Sequence, residues 1–524
     1  MWNKYFLSAE YLFTSWRRPV SIILLGMISA TALPPWYFMP GIFAFSVLAT
    51  LLFKCANSVE TACVAWLFSF GYHLLGMHWL SNAFLIDSDK FAFLIPISFL
   101  GLPAVLALFP ACLLSLFPLI SSSIPKNTIA IASLWSLSDY IRGHLFTGFP
   151  WNLTSYAMSV SESLSQAASV LGAYGLNFLV IFVGIGPSVL LVKRCFWTKH
   201  SLNILILCFL IPPVLWVAGM VRLLEASVTT DPNVLIRIVQ ANIAQKDKWR
   251  PEQKFKNISK YLKLSNLPTK INYNTRSKQN IDFIIWPETA VPAFLATDKK
   301  LRTSIMHALP TSSRLITGAP AIAAQPKTQL HNSLFVISSD AKIDAQYNKV
   351  RLVPFGEYVP LKDWLPISKI VQGLADFRAG SGLKVLNVPL LGFISPVICY
   401  EIIFPGDVIK EQERNQSNLI INLTNDAWFG NGAGPRQHLA IAKMRAIEEG
   451  VPLIRSANTG ISGFYDAYGR TMGEISLNKE GILDRYLTNP TPYRTIYSRF
   501  GNSIYLLLLL VCLIFIFPKR SNNF

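Results

Sequence analysis

Apolar runs of membrane-spanning length recur along the first 220 residues and once more near the carboxyl end, and they constrain the fold most strongly. About 20 apolar residues in a helix cross the hydrocarbon core of a bilayer. The composition agrees, because 52% of the residues are hydrophobic and only 15% are charged, whereas about a quarter are charged in an average soluble domain. We predict eight spans, near residues 19–35, 39–54, 61–82, 91–119, 127–142, 163–192, 201–220 and 502–518.

The distribution of lysine and arginine predicts the orientation of these spans, because cytoplasmic loops carry an excess of both residues. With a cytoplasmic amino terminus, the short outer loops carry only Lys90 and Arg142. The inner ends carry nine basic residues: Arg17, Arg18, Lys54, Lys126, Lys193, Arg194, Lys199, Lys519 and Arg520. We therefore expect both termini in the cytoplasm and residues 221–500 on the outer face of the membrane.

Net charge and cysteine content narrow the classes of function. The formal net charge of +18 is compatible with nucleic acid, with anionic lipid or with orientation in a membrane. No recognition motif for nucleic acid accompanies it, so we expect no nucleic-acid partner. The seven cysteines are an odd number without metal-ligand spacing, which argues against a disulfide framework and a metal site. Cys399 stands apart as the cysteine of the long polar region.

Residues 221–500 have the pattern of a separate α/β domain, because several apolar runs are continuous Val, Ile and Leu stretches typical of doubly buried strands. Strands are predicted at 234–241, 281–286, 314–318, 333–338, 392–398, 418–424 and 452–457. Helices are predicted at 252–266 and 435–449, and loops at 367–381 and 425–436. The predicted domains are a transmembrane domain of about seven helices (1–220), this extramembrane domain (221–500), and a final transmembrane helix with a short tail (501–524).

Three residues of this domain could carry chemistry together. Cys399 ends an apolar run in SPVICYEIIFP, where a strand-to-helix turn would expose a nucleophile, and a buried core cysteine is the alternative. Glu288, in IIWPETAVP, could be a general base, or simply a helix N-cap or a surface loop carboxylate. Lys349, in YNKVRLVPFGEYVP, could stabilise an oxyanion beside a thiolate or be an ordinary solvated lysine.

The order of these three segments resembles the nitrilase superfamily, whose members use Glu, Lys and Cys in this order. With its added transmembrane spans, the whole chain resembles the apolipoprotein N-acyltransferase family, the membrane-embedded branch of that superfamily. The other segments that carry this resemblance are SDYIRG (138–143), TGFPWN (147–152), QANIAQKDKW (240–249), HNS (331–333), LTNDAWFG (423–430) and RSANTGISG (455–463).

The resemblance implies an αββα sandwich in which Glu288 is the general base, Lys349 stabilises the tetrahedral intermediates and Cys399 is the nucleophile. Six further residues are implied in supporting or substrate-binding roles: Glu357, Glu401, Tyr400, Trp249, Asn332 and Trp428. No metal or other cofactor is implied.

The implied reaction transfers an acyl chain from a membrane phospholipid, through a cysteine thioester, to the α-amine of the diacylglyceryl-cysteine of an apolipoprotein. The resemblance also implies a bacterial inner-membrane protein whose catalytic domain lies on the periplasmic side.

Two other functions stay open at this point. A membrane-tethered amidase or nitrilase-type hydrolase would use the same residues with water as acceptor, although a simple tether needs only one span. A transporter or lipid-binding protein with a degenerate outer domain would find its best support in the intramembrane charges Asp139 and Arg142, because such residues are often functional. We interpret these two charges as a pair near a membrane boundary.

Overall fold

A computed structural model describes residues 17–120, 123–192, 199–269, 280–323, 329–360 and 376–516. These residues form two compact units. The first unit comprises the described residues up to Ser81, from Phe93 to Leu224, and from Arg499 onward. The second unit comprises the described residues of Asn82–Ala92 and Glu225–Ser498. Part of the predicted loop 367–381 and four of the predicted inner basic residues lie outside the described residues: Lys193, Arg194, Lys519 and Arg520.

The first unit is helical. We number the helices along the whole chain, so α8–α11 belong to the second unit. The main helices of the first unit are α1 (Arg17–Ala30), α2 (Ala44–Leu52), α3 (Ser58–Met77), α4 (Leu102–Leu114), α5 (Ile124–His144), α6 (Ala168–Ile185), α7 (Lys199–Leu224) and α12 (Ser503–Ile516). Single helical turns lie at Phe117–Ile120, Glu162–Ser165 and Ser188–Leu191. The predicted run 91–119 is interrupted by a π-helical turn at Ile97–Gly101, and α4 contains Pro110, as expected where proline removes a backbone donor.

Several helical segments are apolar enough for a bilayer. Ser88–Ile120, Ala168–Leu191 and Ser201–Leu224 are also long enough to cross one, and Met39–Leu52 and Ser503–Ile516 are shorter apolar segments. The predicted helical membrane domain is confirmed, while the count of eight spans stays a prediction.

The charged pair of α5 is buried inside the first unit. Arg142 donates a hydrogen bond to Asp139 at 2.7 Å, and Asn177 donates to the other oxygen of this carboxylate at 3.0 Å. Arg142 also donates to the backbone carbonyls of Phe149 and Trp151. A buried charge is tolerated when it is paired and hydrogen-bonded, so this pair has the contacts of a structural element that holds the loop after α5.

The second unit contains twelve strands in two sheets of six. Their bounds are β1 Thr230–Gln240, β2 Phe283–Ile285, β3 Arg314–Ala323, β4 Gln329–Ile337, β5 Ile343–Asn348, β6 Leu386–Val388, β7 Gly392–Ile398, β8 Leu419–Thr424, β9 Leu453–Ala457, β10 Ser462–Tyr465, β11 Thr471–Ile475 and β12 Gly481–Thr488. The first sheet has the order β12-β1-β2-β3-β4-β5 and the second β11-β10-β9-β8-β7-β6. The strands β1, β2 and β3 are parallel, as are β7, β8 and β9.

Four helices complete the second unit: α8 (Gln245–Lys248), α9 (Lys254–Ser265), α10 (Lys299–His307) and α11 (Ala433–Glu449). Short turns lie at Asn82–Leu85 and Ser88–Phe91, and the turn Ile496–Phe500 crosses from this unit into the first. Side chains of both sheets, such as Ile238 and Ile421, share one core, while α9 and α10 cover the other face of the first sheet. Because α11 packs against β9 of the second sheet, the layers follow the order of the predicted αββα sandwich, which is confirmed.

The predicted elements differ from the observed ones mainly at sheet edges. Every predicted strand exists, and 392–398 coincides with β7. The strands β5, β6, β10, β11 and β12, and the helices α8 and α10, are additional to the prediction. The predicted loop 425–436 is wrong at two places, because Asp426–Phe429 form a 3₁₀ turn and α11 already begins at Ala433.

Candidate active site

The nucleophile candidate Cys399 occupies a sharp turn between a strand and a short helix. It follows β7 directly and has a backbone φ of +51°, a conformation that non-glycine residues rarely adopt and that often marks functional sites. The 3₁₀ turn Cys399–Ile403 starts here, and the side chain of Glu401 accepts a hydrogen bond from the Ile398 amide at 2.7 Å. The chain therefore turns at the carboxyl end of β7, and the Cys399 thiol lies just beyond the sheet at this end of the strand.

Glu288 lies at the carboxyl end of β2 in the first sheet, three residues after the last residue of that strand. The next residue, Thr289, has a φ of +45°, so the chain bends sharply after the carboxylate. Gly318 of β3 passes so close that a Cβ there would lie 2.4 Å from the Thr289 nitrogen and 2.7 Å from the Glu288 Cα. The absence of a side chain at Gly318 therefore leaves room for the backbone of Glu288 and Thr289, which sets the direction of the Glu288 side chain.

Replacing Gly318 with alanine is expected to destabilise the protein by about 1–3 kcal/mol, the usual cost of overpacking, and to lower activity by displacing Glu288. Thermal unfolding and catalytic activity would be measured on the same preparation. Gly481→Ala is the matched control, because the nearest atom to its new Cβ is 3.9 Å away. Equal behaviour of the two variants would contradict the packing argument.

Lys349 stands between two carboxylates. It follows β5 and is only 1% exposed, and its Nζ donates to Glu288 at 3.2 Å and to Glu357 at 3.0 Å. The Asn332 amide donates to the same two carboxylates, at 2.8 Å and 2.9 Å. The Lys349 backbone nitrogen also donates to the Asn332 carbonyl at 2.8 Å. The structure thus brings four of the predicted residues into one buried hydrogen-bonded cluster.

The charges of this cluster act on the thiol. Burial raises the pKa of Cys399 to about 12; the Glu288 charge adds to this rise, and Lys349 opposes it. The backbone N–H of Asn425 hydrogen-bonds to Cys399 and also lowers its pKa. For Lys349, burial lowers the pKa but the carboxylates of Glu288 and Glu357 outweigh it, so the net shift is upward. At neutral pH the site holds a protonated thiol beside an ammonium group.

Glu401 ties the turn at Cys399 to the end of β5. Besides the Ile398 amide, its carboxylate accepts hydrogen bonds from the Tyr347 hydroxyl at 2.8 Å and the Val350 amide at 2.6 Å. These contacts connect the segment that carries Lys349 with the segment that carries the thiol, which makes Glu401 a structural link between them.

The three predicted aromatic residues occupy neighbouring segments. Tyr400 is buried and packs edge-on against Phe404, with ring centroids 5.2 Å apart. Trp249 follows α8, and Trp428 lies in the turn Asp426–Phe429; both are half-buried. Among the described residues, neither indole nitrogen is hydrogen-bonded to the Lys349 cluster.

A second buried network behind Cys399 escaped the sequence interpretation. His438 of α11 contacts the Cys399 carbonyl at 3.3 Å through Nε2 and Asp426 at 2.9 Å through Nδ1. Arg455 of β9 donates to the other Asp426 oxygen at 2.7 Å. Burial and the Arg455 charge lower the pKa of His438, while Asp426 opposes this fall, and the imidazole links the Asp426 carboxylate to the carbonyl of the strained turn. The segments LTNDAWFG and RSANTGISG contain two of these residues, which is the clue that was available.

A third set of contacts fixes the loop that reaches the thiol. The Asn425 side chain donates to Gln245 at 2.6 Å and accepts from Asn458 at 3.2 Å. The Asn458 side chain in turn accepts a hydrogen bond from the Ile243 backbone N–H and donates one to the Ile243 carbonyl. Segments distant in sequence therefore converge to position the Asn425 amide at Cys399.

Comparison with known proteins agrees with this arrangement. Residues 25–186 match the family model for the apolipoprotein N-acyltransferase N-terminal domain, and residues 235–490 match the model for carbon-nitrogen hydrolases. The protein named apolipoprotein N-acyltransferase from Rhodopseudomonas palustris is 35% identical over an alignment that covers 96% of this chain and 96% of that protein. Proteins of the same name from Bradyrhizobium diazoefficiens and Rickettsia prowazekii are each 35% identical, over 93% and 94% of this chain and 92% and 96% of their own lengths. The chain belongs to the apolipoprotein N-acyltransferase family.

Proposed function

We propose that this chain acylates the α-amine of the diacylglyceryl-cysteine of apolipoproteins with an acyl chain taken from a membrane phospholipid. The observation that carries this proposal is the buried Lys349, held between Glu288 and Glu357 and acting on the Cys399 thiol. Relatives over nearly the whole length are named apolipoprotein N-acyltransferase, which supports this acceptor over water.

In the first half-reaction, Cys399 Sγ attacks the ester carbonyl carbon of the phospholipid while Glu288 accepts the thiol proton. Because the thiol has a pKa of about 12, attack and proton transfer occur together at neutral pH. Lys349 donates to the oxyanion of the tetrahedral intermediate. Glu288 then returns the proton to the leaving oxygen, a lysophospholipid departs, and the acyl chain remains on Sγ as a thioester.

In the second half-reaction, the neutral α-amine of the apolipoprotein attacks the thioester carbonyl. Glu288 accepts a proton from the amine nitrogen, and Lys349 again meets the oxyanion. As the C–S bond breaks, the proton passes to Sγ, so that the amide forms and the thiol is restored. The thioester divides one difficult transfer into two easier steps.

The supporting residues take roles that follow from their contacts. Glu357 and Asn332 orient the Lys349 ammonium and the Glu288 carboxylate, and Glu401 fixes the turn at Cys399. We assign Tyr400, Trp249 and Trp428 to the surface that receives the two lipid substrates.

For the cellular location we propose the bacterial inner membrane, with the second unit on the periplasmic side and both termini in the cytoplasm. The placement of lysine and arginine supports this orientation. It also agrees with the chemistry, because both proposed substrates are lipids confined to the bilayer.

The intact mass of the purified protein tests the proposed reaction. Incubation with phospholipid alone is expected to add the mass of one acyl chain, which hydroxylamine removes as it does from a thioester. A diacylated lipopeptide is then expected to discharge the acyl chain onto its amine. Rapid discharge into free fatty acid in water alone would favour the hydrolase instead.

A further inference from the structure

Lys248 is a buried lysine whose ammonium contacts the residue that carries the general base. It ends α8 and is 4% exposed, and its Nζ donates to the backbone carbonyl of Glu288 at 2.8 Å. Lysine is almost never fully buried unless it is paired. Here the contact reaches the carbonyl directly before Thr289, where the chain bends with positive φ. Lys248 therefore fastens the turn that aims the Glu288 carboxylate.

The groups that face Lys248 belong to the same site. Burial lowers the pKa of Lys248 to about 8; the charges of Glu288 and Cys399 act against this fall, and Lys349 adds to it. The charges of Glu357 and Glu401 raise the pKa of Lys349, and the charge of Asp426 raises the pKa of Cys399. Asp426 has its own counter-charge in Arg455, and Glu401 is satisfied by backbone amides.

With the hydrogen-bonded Glu401 and the Asp426–Arg455 pair set apart, the charges of Glu288, Glu357, Lys248 and Lys349 balance only when Lys248 is protonated. In the resting state, the site then holds two ammonium groups, Lys248 and Lys349, and two carboxylates, Glu288 and Glu357. In the tetrahedral intermediate Glu288 holds the proton, and the oxyanion takes its place as the second negative charge. Without the Lys248 charge, each state would carry one uncompensated negative charge in a buried site, where such charges are costly.

We propose that Lys248 is a positioning residue of the acyl-transfer reaction, which holds Glu288 in place and supplies the second positive charge of the site. The inference rests on the proposed function, because it assigns Lys248 a part in the same two-step reaction. The established sequence pattern of Glu, Lys and Cys does not include this lysine.

Four variants separate the charge from the hydrogen bond. Lys248→Arg keeps the charge at every pH used, because arginine stays protonated. Lys248→Gln keeps a donor without the charge, and Lys248→Met removes both. Lys246→Met is the matched control, because Lys246 is exposed on the same short helix. The full-length protein in detergent is given phospholipid, and the rate of acyl-enzyme formation is followed by intact mass from pH 5 to pH 10, with thermal unfolding measured in parallel.

The pH dependence follows from the sign of the Lys248 shift. Below about pH 8 the Lys248 cation is present, and above it the cation is lost, so the wild-type rate is expected to fall on the alkaline side. Lys248→Arg should extend the plateau to higher pH. Lys248→Met and Lys248→Gln should both be slower by about tenfold or more at pH 7, the effect of removing an opposite charge beside an ionised group, and should lack the fall near pH 8.

The outcomes are distinguishable. Lys248→Met with the rate and pH profile of Lys246→Met would overturn the inference. A common loss of rate in all three Lys248 variants with an unchanged alkaline fall would also overturn it, because only a structural role would remain. If Lys248→Met does not fold, the comparison of Lys248→Arg with Lys248→Gln decides the same question. A wild-type protein that never gains an acyl chain would instead refute the proposed function.

Discussion

Replacing Cys399 with serine is expected to abolish acyl transfer and leave the fold intact. The change is nearly isosteric, and serine can occupy the same positive-φ position at a similar cost. The environment of the thiol already raises its pKa to about 12, and a hydroxyl in that place is harder still to deprotonate. Loss of a nucleophile that works with its neighbours as one unit costs up to about a million-fold in rate elsewhere, so we expect a fall of at least about a thousand-fold.

The measurement is the intact mass after exposure to phospholipid, together with turnover on a diacylated lipopeptide and thermal unfolding. Cys208→Ser is the matched control, because Cys208 is the other buried cysteine among the described residues. It should form the acyl adduct at the normal rate, whereas Cys399→Ser and Cys399→Ala should not. A hydroxylamine-sensitive adduct that still forms on Cys399→Ser at the wild-type rate would rule out the assignment of the nucleophile.

The central part of the second unit could be predicted because its strands are continuous apolar runs. The predicted strand 392–398 coincides with β7, and Cys399 lies at the strand-to-helix turn that the sequence predicted. Edge strands lack this pattern. β5, with the sequence IDAQYN, is only partly buried, so its composition does not distinguish it from a loop.

Buried charges mark the other limit of the sequence interpretation. In α11 the apolar positions Ile441 and Met444 predicted a core face. The structure also buries Arg445 and Glu448 of this helix, which pair at 2.8 Å. Polar side chains are usually outside unless paired, and their partners depend on tertiary contacts. For the same reason Lys248 and His438 could not be recognised from spacing alone.

Replacing Lys349 with methionine should both stop catalysis and destabilise the second unit. The ammonium group separates two carboxylates that otherwise share only the Asn332 amide. Breaking a buried ion pair by removing one partner typically costs about 3–5 kcal/mol. The loss of a single oxyanion donor costs about a hundred- to a thousand-fold in rate, and a charged donor should cost at least that much. A single variant therefore confounds the two effects.

The double variant Lys349→Met/Glu357→Gln separates them. It removes one positive and one negative charge, so Glu288 no longer shares the cluster with a second, uncompensated carboxylate, and much of the lost stability should return. Catalysis should not return, because the donor that meets the oxyanion is still missing. Thermal unfolding and acyl-enzyme formation would be compared for the wild type, Glu357→Gln, Lys349→Met and the double variant. If the double variant regains both stability and the wild-type rate of acylation, Lys349 acts only as a structural counter-charge, and the oxyanion must be stabilised by other donors.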